Sequence, residues 1–306
     1  MSVICFPLLL ARIKRGEIAA IMGKFTKYIG KAMALTAYRL SGATGIHKGD
    51  REYQQDQLLL LTHPHHPGCV MGVVADGMGG RSGGRMASDQ VVLTAKQIFE
   101  RYSPTTDDAP AVLRQIGEEA HTVIRLTAVA AEMEPHSTYA AFIMNPEGDC
   151  HWAHSGDSRI YHFHAGALVK RTRDNSYVQT LVDKGELTEM QARDHPQSNI
   201  LLSCLGAEEP PQISTYSTRD LKVGDALLLC SDGLWHYFTD QELGSALTTL
   251  TPREAAEFLI SKARQRGHGG GDNISTIVLR LDASVTERKS ARIEMPSIAD
   301  IKRGMR

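Results

Sequence analysis

The run Val73-Val74-Ala75-Asp76-Gly77-Met78-Gly79-Gly80 constrains the fold more than any other stretch of the chain. Three apolar residues read as the end of a buried strand. The chain then presents a carboxylate where glycines free the backbone to turn and to approach a ligand closely. Taken alone, such a run also suits an ordinary strand-turn-helix connection whose Asp caps the next element. It is not alone: Ala226–Cys230 is apolar and leads into Ser231-Asp232-Gly233, and Gly271-Asp272-Asn273 stands just before the apolar run Ile274–Leu281. Carboxylates at strand ends can converge although they are far apart in sequence. Gathered together they repel one another unless a cation lies between them, and hard oxygen ligands of this kind suit Mg²⁺ or Mn²⁺. Asp56, twenty positions before Asp76, reads as closing a fourth element of the same kind. Arg51 ahead of it is suited to holding two phosphate oxygens at once.

Around these points the pattern is one of short strands and longer helices. Leu58–Leu61, Cys69–Ala75, Tyr139–Met144, Cys150–His154, Arg159–Phe163, Ala226–Cys230 and Ile274–Leu281 are apolar or alternating and bounded by Gly, Asp and Asn. Apolar spacings of three and four predict helices over Ala87–Tyr102, Ala111–Ala131, Asp240–Leu247 and Pro252–Arg266, the last capped by Thr251. The fold class this implies is an α/β sandwich of two mainly antiparallel sheets flanked by helices. Asp174 to Leu205 breaks the rhythm with two short helical patterns joined through Gly185, and reads as an inserted flap. One catalytic domain is expected over 38–282, after a leader at 1–37 that holds a possible basic helix near Lys24–Ala37. A basic, disordered tail is expected at 283–306.

Composition removes some function classes. Lys plus Arg is 34 against 35 for Asp plus Glu, so nothing draws the chain globally to nucleic acid or to an anionic membrane. The five cysteines are scattered without a CxxC pair, which argues against thiolate metal binding and for a reducing, cytoplasmic setting. Val3–Ala11 is too short to span a bilayer, and its positive charges follow rather than precede it, the wrong order for a secretory signal. Met22 is a second plausible start, with no chemistry-bearing residue before it.

In order along the chain stand Arg51 with Gln55-Asp56, Asp76-Gly77-Met78-Gly79-Gly80, Ser137-Thr138, Gly156-Asp157-Ser158-Arg159, Asp174-Asn175-Ser176, Ser231-Asp232-Gly233-Leu234-Trp235 and Gly271-Asp272-Asn273. Together they resemble the metal-dependent protein phosphatase family, type 2C, in its bacterial form. The resemblance implies a monomeric phosphatase acting on phosphoserine and phosphothreonine in proteins, opposing a Ser/Thr kinase of the same cell. It implies two Mn²⁺ or Mg²⁺ ions, bridged by Asp76, with the Gly77 carbonyl on one and Asp232 and Asp272 completing the other. Asp56 then orients water, Arg51 holds the phosphate, Asp157 with Asp232 takes a third, weaker metal, and Asn273 supports the site from behind. The nucleophile implied is a hydroxide shared by two cations, with no covalent phosphoenzyme.

Two positions depart from the family pattern. Eukaryotic members carry a His, proposed as general acid, where this chain has Met78, which has no proton to give. Gln55 replaces an acidic residue and removes one negative charge near the metals. Ser155 and Ser231 have no patterned His partner and are not read as nucleophiles. The tract His63-Pro64-His65-His66-Pro67 invites a metal, yet its prolines favour an exposed hairpin loop. His195 reads as packing or capping, Trp152 and Trp235 as core aromatics, and the flap as the surface that selects substrates. Two rival readings are a catalytically weak regulatory domain of the same fold and a metal-binding module built on the His tract.

Overall fold

The computed structural model describes residues 38–131, 134–219 and 221–283. The leader, the basic helix near Lys24–Ala37, Met22 and most of the C-terminal tail lie outside the described residues. Ten of the strands form two five-stranded antiparallel sheets. The first sheet has the order β1 (Tyr38–His47), β12 (Ile274–Ala283), β11 (Asp225–Cys230), β8 (Arg159–His164), β9 (Ala167–Arg171). The second has the order β10 (Ser214–Thr218), β7 (Cys150–Ser155), β6 (Tyr139–Met144), β3 (Val70–Ala75), β2 (Gln57–Thr62). A short ladder joins β4 (Gly77–Met78) to β5 (His136–Ser137). Helices α1 (Gly80–Phe99) and α2 (Ala109–Ala131) cover the second sheet, while α6 (Asp240–Thr249) and α7 (Pro252–Gly267) cover the first. Between them lie the flap helices α3 (Tyr177–Asp183) and α4 (Glu189–Arg193) and the single turn α5 (Asp232–Trp235). No helix among the described residues is long and apolar enough to cross a membrane.

Three apolar layers explain why the central strands are apolar throughout. Along β11, Leu227 and Leu229 point between the sheets, while Ala226, Leu228 and Cys230 point at the helices. Along β3, Val70 and Val74 face the inter-sheet core and Met71, Val73 and Ala75 face α1 and α2. A strand buried on both sides carries no polar alternation. Gly72 interrupts β3 because Phe142 occupies the space beside it; a Cβ there would lie 2.3 Å from the Phe142 ring. Helix α7 begins as its sequence predicts, with Thr251 and Glu254 forming a reciprocal capping box across Pro252 at the first helical position.

The structure departs from the sequence expectations at exposed elements. Strands β1, β9 and β10 carry mixed or exposed residues and have no strong apolar signal. Helix α1 starts at Gly80, seven residues before Ala87, through a glycine-rich turn that propensity alone would keep out of a helix. Those glycines allow close approach: a Cβ on Gly77 would fall 2.1 Å from the Gly84 carbonyl. The His tract forms the β2–β3 hairpin loop with His65 exposed, but His63 is buried against Phe99. Its Nδ1 accepts the backbone N–H groups of His65 and His66, so this imidazole organises the turn. His195 caps its own loop, its Nδ1 accepting the Gln197 N–H.

Candidate metal centre

The sheet ends bring the predicted carboxylates together. Asp76 follows β3, Asp232 opens α5 two residues after β11, and Asp272 stands two residues before β12. Asp56 does not close an element as the sequence suggested; it immediately precedes β2, whose antiparallel partner β3 ends at Ala75, so both acids emerge at the same edge. Asp76 adjoins both Asp56 and Asp232 and feels the charges of Asp157 and Asp272 as well.

Burial sets the electrostatics. Asp56 is fully buried; desolvation, with the charge of Asp232 added, pushes its carboxyl up to about 7 against the opposing hydrogen bond from Ser231. Burial and then Asp272 push Asp232 up to about 6. Asp76 is raised well above the usual carboxylate range, first by burial and then by Asp56, Asp232, Asp157 and Asp272. Asp157 is raised by burial, Asp232 and Asp174, with Arg159 opposing.

Among the described residues, Asp56 Oδ1 and Asp232 Oδ1 are buried without a hydrogen-bond partner. Buried carboxylate oxygens left this way are costly. They fit a divalent cation as the missing partner. Among the described residues no three His, Cys, Asp or Glu side chains are grouped so as to hold a metal ion by themselves.

The surrounding hydrogen bonds hold each acid in place. Ser231 Oγ donates to Asp56 Oδ2 at 2.8 Å and accepts the Ser275 N–H. Thr138 accepts the Asp76 N–H at 2.9 Å, its own N–H returns to the Asp76 carbonyl, and its hydroxyl meets Ser158. Asn273, nearly buried, binds the Lys48 and Tyr53 carbonyls with its Nδ2 and receives the Gln55 N–H on its Oδ1 at 2.6 Å. It thereby staples the Arg51–Asp56 loop to the Asp272 loop. Asp50, which sequence reasoning passed over, adds a second staple by accepting the Gly271 N–H. Arg51 is 61% exposed and bonds Asp272 Oδ2 at 2.6 Å, at the rim of the cluster. Gln55 reaches the Gly80 carbonyl.

On the other side the flap meets the acids. Arg159 forks onto Asp174 with Nε and Nη2 at 2.9 and 2.8 Å, its plane 3.5 Å from the Trp235 ring centre. The Trp235 indole N–H in turn donates to the Asp157 carbonyl. Trp235 is thus a core aromatic, as the sequence suggests, that also touches the site. Asn175 exchanges two hydrogen bonds with Gly156, and Ser203 meets Ser155 at the flap's exit. A cavity of about 60 Å³ lies beneath the flap, lined by Asp157, Asp232, Trp235, His236, Val178 and Ala192.

Fold and site together define a helix-flanked, two-sheet sandwich whose sheet ends carry an acidic cluster, with Arg51 paired to Asp272 at its rim. The profile of protein phosphatase 2C matches residues 42–264, and the chain belongs to that family. It is 34% identical over 218 residues to the serine/threonine protein phosphatase PstP of Mycobacterium tuberculosis, covering 70% of this chain and 40% of that protein. The chain thus spans well under half of PstP. It is 32% identical to the serine/threonine phosphatase stp of Listeria monocytogenes, over 72% of this chain and 87% of that protein. Among solved structures, the catalytic domain of PstP in complex with 2 manganese ions superimposes with a TM-score of 0.66 at 27% identity, covering 79% of this chain and 98% of that one.

Proposed function

We propose that this chain is a metal-dependent protein serine/threonine phosphatase that uses two Mn²⁺ or Mg²⁺ ions and acts on phosphoproteins, opposing a Ser/Thr kinase. The observation that carries this reading is the convergence of Asp56, Asp76, Asp232 and Asp272, with buried Asp56 and Asp232 oxygens left without partners. Bound there, the cations would supply Lewis-acid charge and an activated water.

The residues divide the remaining work. Asp76, which feels the charges of the other four acids, would hold both cations, with the Gly77 carbonyl as a further ligand of one. Asp232 and Asp272 would complete one cation, and Asp157 with Asp232 a third. Asp56, fixed by Ser231, orients water for in-line attack. Arg51 is exposed and paired only at the rim, so it can exchange Asp272 for two oxygens of a phosphate. Asn273 keeps the Arg51 and Asp272 loops in register. The flap, whose helices roof the cavity beside Asp157, is the surface that meets the protein around the phosphoresidue.

The test is hydrolysis of a phosphoserine peptide by metal-stripped protein with and without Mn²⁺. Turnover that depends on Mn²⁺ is expected. Phosphopeptide binding without turnover would instead favour a regulatory domain.

A further inference from the structure

We infer that His136 is the general acid that protonates the leaving seryl or threonyl oxygen, a proposal that rests on the phosphatase reading above. Expelling an alkoxide requires a proton, and the turn after Asp76 carries Met78, which has none to give. Arg51 is too weak an acid and is engaged with Asp272. His236 stands under the flap on the Asp157 side, where burial favours its neutral form.

The β4–β5 ladder supplies another imidazole. Its register pairs Gly77 with Ser137 and Met78 with His136. The ladder runs back to Asp76 and Thr138, whose backbones bond at 2.8 Å. Side chains two residues apart on a strand share a face, and directly opposed residues in an antiparallel pair share it too. Asp76, Met78, Thr138 and His136 therefore stand on one face, with His136 across from the residue that lacks a proton.

Its backbone is held on both sides. Ser137 exchanges two hydrogen bonds with Leu205 at the flap's exit, at 3.0 and 2.8 Å, and Gly206 packs so closely that a Cβ would lie 2.2 Å from the Pro135 carbonyl. The His136 side chain is half-buried and forms no hydrogen bond or ion pair with the described residues. A fixed backbone with an uncommitted imidazole is what a proton donor needs.

In the step assigned to it, water oxygen bonds to phosphorus as the ester P–O bond breaks. The electron pair of that bond goes to the seryl oxygen, which takes the proton from the His136 imidazolium. The second proton of the water is shed from the phosphate and the imidazole is reprotonated from solvent, so the sum is phosphoester plus water to alcohol plus phosphate.

The experiment compares two substrates on the full chain with Mn²⁺: a phosphoserine peptide and p-nitrophenyl phosphate, whose phenolate leaves without help. His136→Gln should lower kcat on the peptide by about 100-fold and on p-nitrophenyl phosphate by no more than about threefold. Adding Met78→His, which returns an imidazole to the facing position, should recover at least about tenfold on the peptide. An equal loss on both substrates, or no loss on the peptide, overturns the assignment while leaving the phosphatase reading intact. A wild-type chain inactive on both would overturn the two together.

Discussion

The Asp174 and Asp56 carboxylates are both withdrawn from solvent and live in opposite circumstances. Asp174, its side chain 6% exposed, receives the fork of Arg159, whose side chain is stacked on Trp235 and 7% exposed. Its charge is answered from within the protein. Asp56, with no surface exposure, has one serine hydroxyl on Oδ2, nothing on Oδ1, and the acids Asp76 and Asp232 as neighbours. Asp225 belongs with Asp174: it is buried, and His162 and His164 lie at 3.3 and 2.7 Å. The contrast separates two uses of a buried carboxylate. A structural acid is folded together with its counter-charge. An acid left without one carries a cost that, on the reading proposed above, a cation from outside would offset.

Removing the centre should break this contrast most severely. Asp76→Ala or Asp232→Ala is expected to cut Mn²⁺-dependent phosphopeptide hydrolysis by about 10³-fold or more, a loss of several kcal/mol of transition-state stabilisation; retention of most activity would remove the cluster from the chemistry. Next in size is stability. Asp174→Asn leaves Arg159 buried and unpaired and should cost about 3–5 kcal/mol, read as a lower urea midpoint. Asp56→Asn in chelator should cost nothing or stabilise, because it relieves repulsion. If the two variants behave alike, the distinction between these acids is wrong.

A third expectation concerns pH. Asp56 and Asp232 rise from 3.8 to about 7 and about 6 in the folded chain. The folded state therefore binds more protons than the unfolded one between those values. Stability in chelator should be fullest below about pH 4 as far as these groups are concerned, and should fall as pH rises through 6 and 7. Excess Mn²⁺ should offset that fall at pH 7. A melting temperature that climbs over the same interval in chelator would contradict it. The smallest effect belongs to the outer part of the His tract: replacing exposed His65 and half-buried His66 by Ala should leave Mn²⁺-dependent turnover unchanged within about twofold, as expected of surface substitutions. Loss of activity there would revive a histidine metal site.

The site was more legible in the sequence than the scaffold around it. Asp76, Asp232 and Asp272 could be found because each adjoins an apolar strand, and burial on both faces made those strands unmistakable. Asp56 was found but placed on the wrong end of its element, since β2 is only half-buried and its start carries no signal. Strands β9 and β10 stayed hidden because edge residues such as Val169, 54% exposed, need not follow a core pattern. Nor could one chain of letters show that Asn273 and Asp50 staple two distant loops, or that Arg159 lies on Trp235. Those are properties of packing, with no local spacing to betray them. His136 belongs to the same class: only the β4–β5 register sets it opposite Met78.

Calorimetric titration of Mn²⁺ into the chelator-stripped full chain asks whether Asp56, Asp76 and Asp232 form a site neutralised from outside. Near pH 6.5, in two buffers of different ionisation enthalpy, binding should release protons from the raised carboxylates and should be lost in Asp76→Ala. Binding without proton release, or binding that survives Asp76→Ala unchanged, would contradict it.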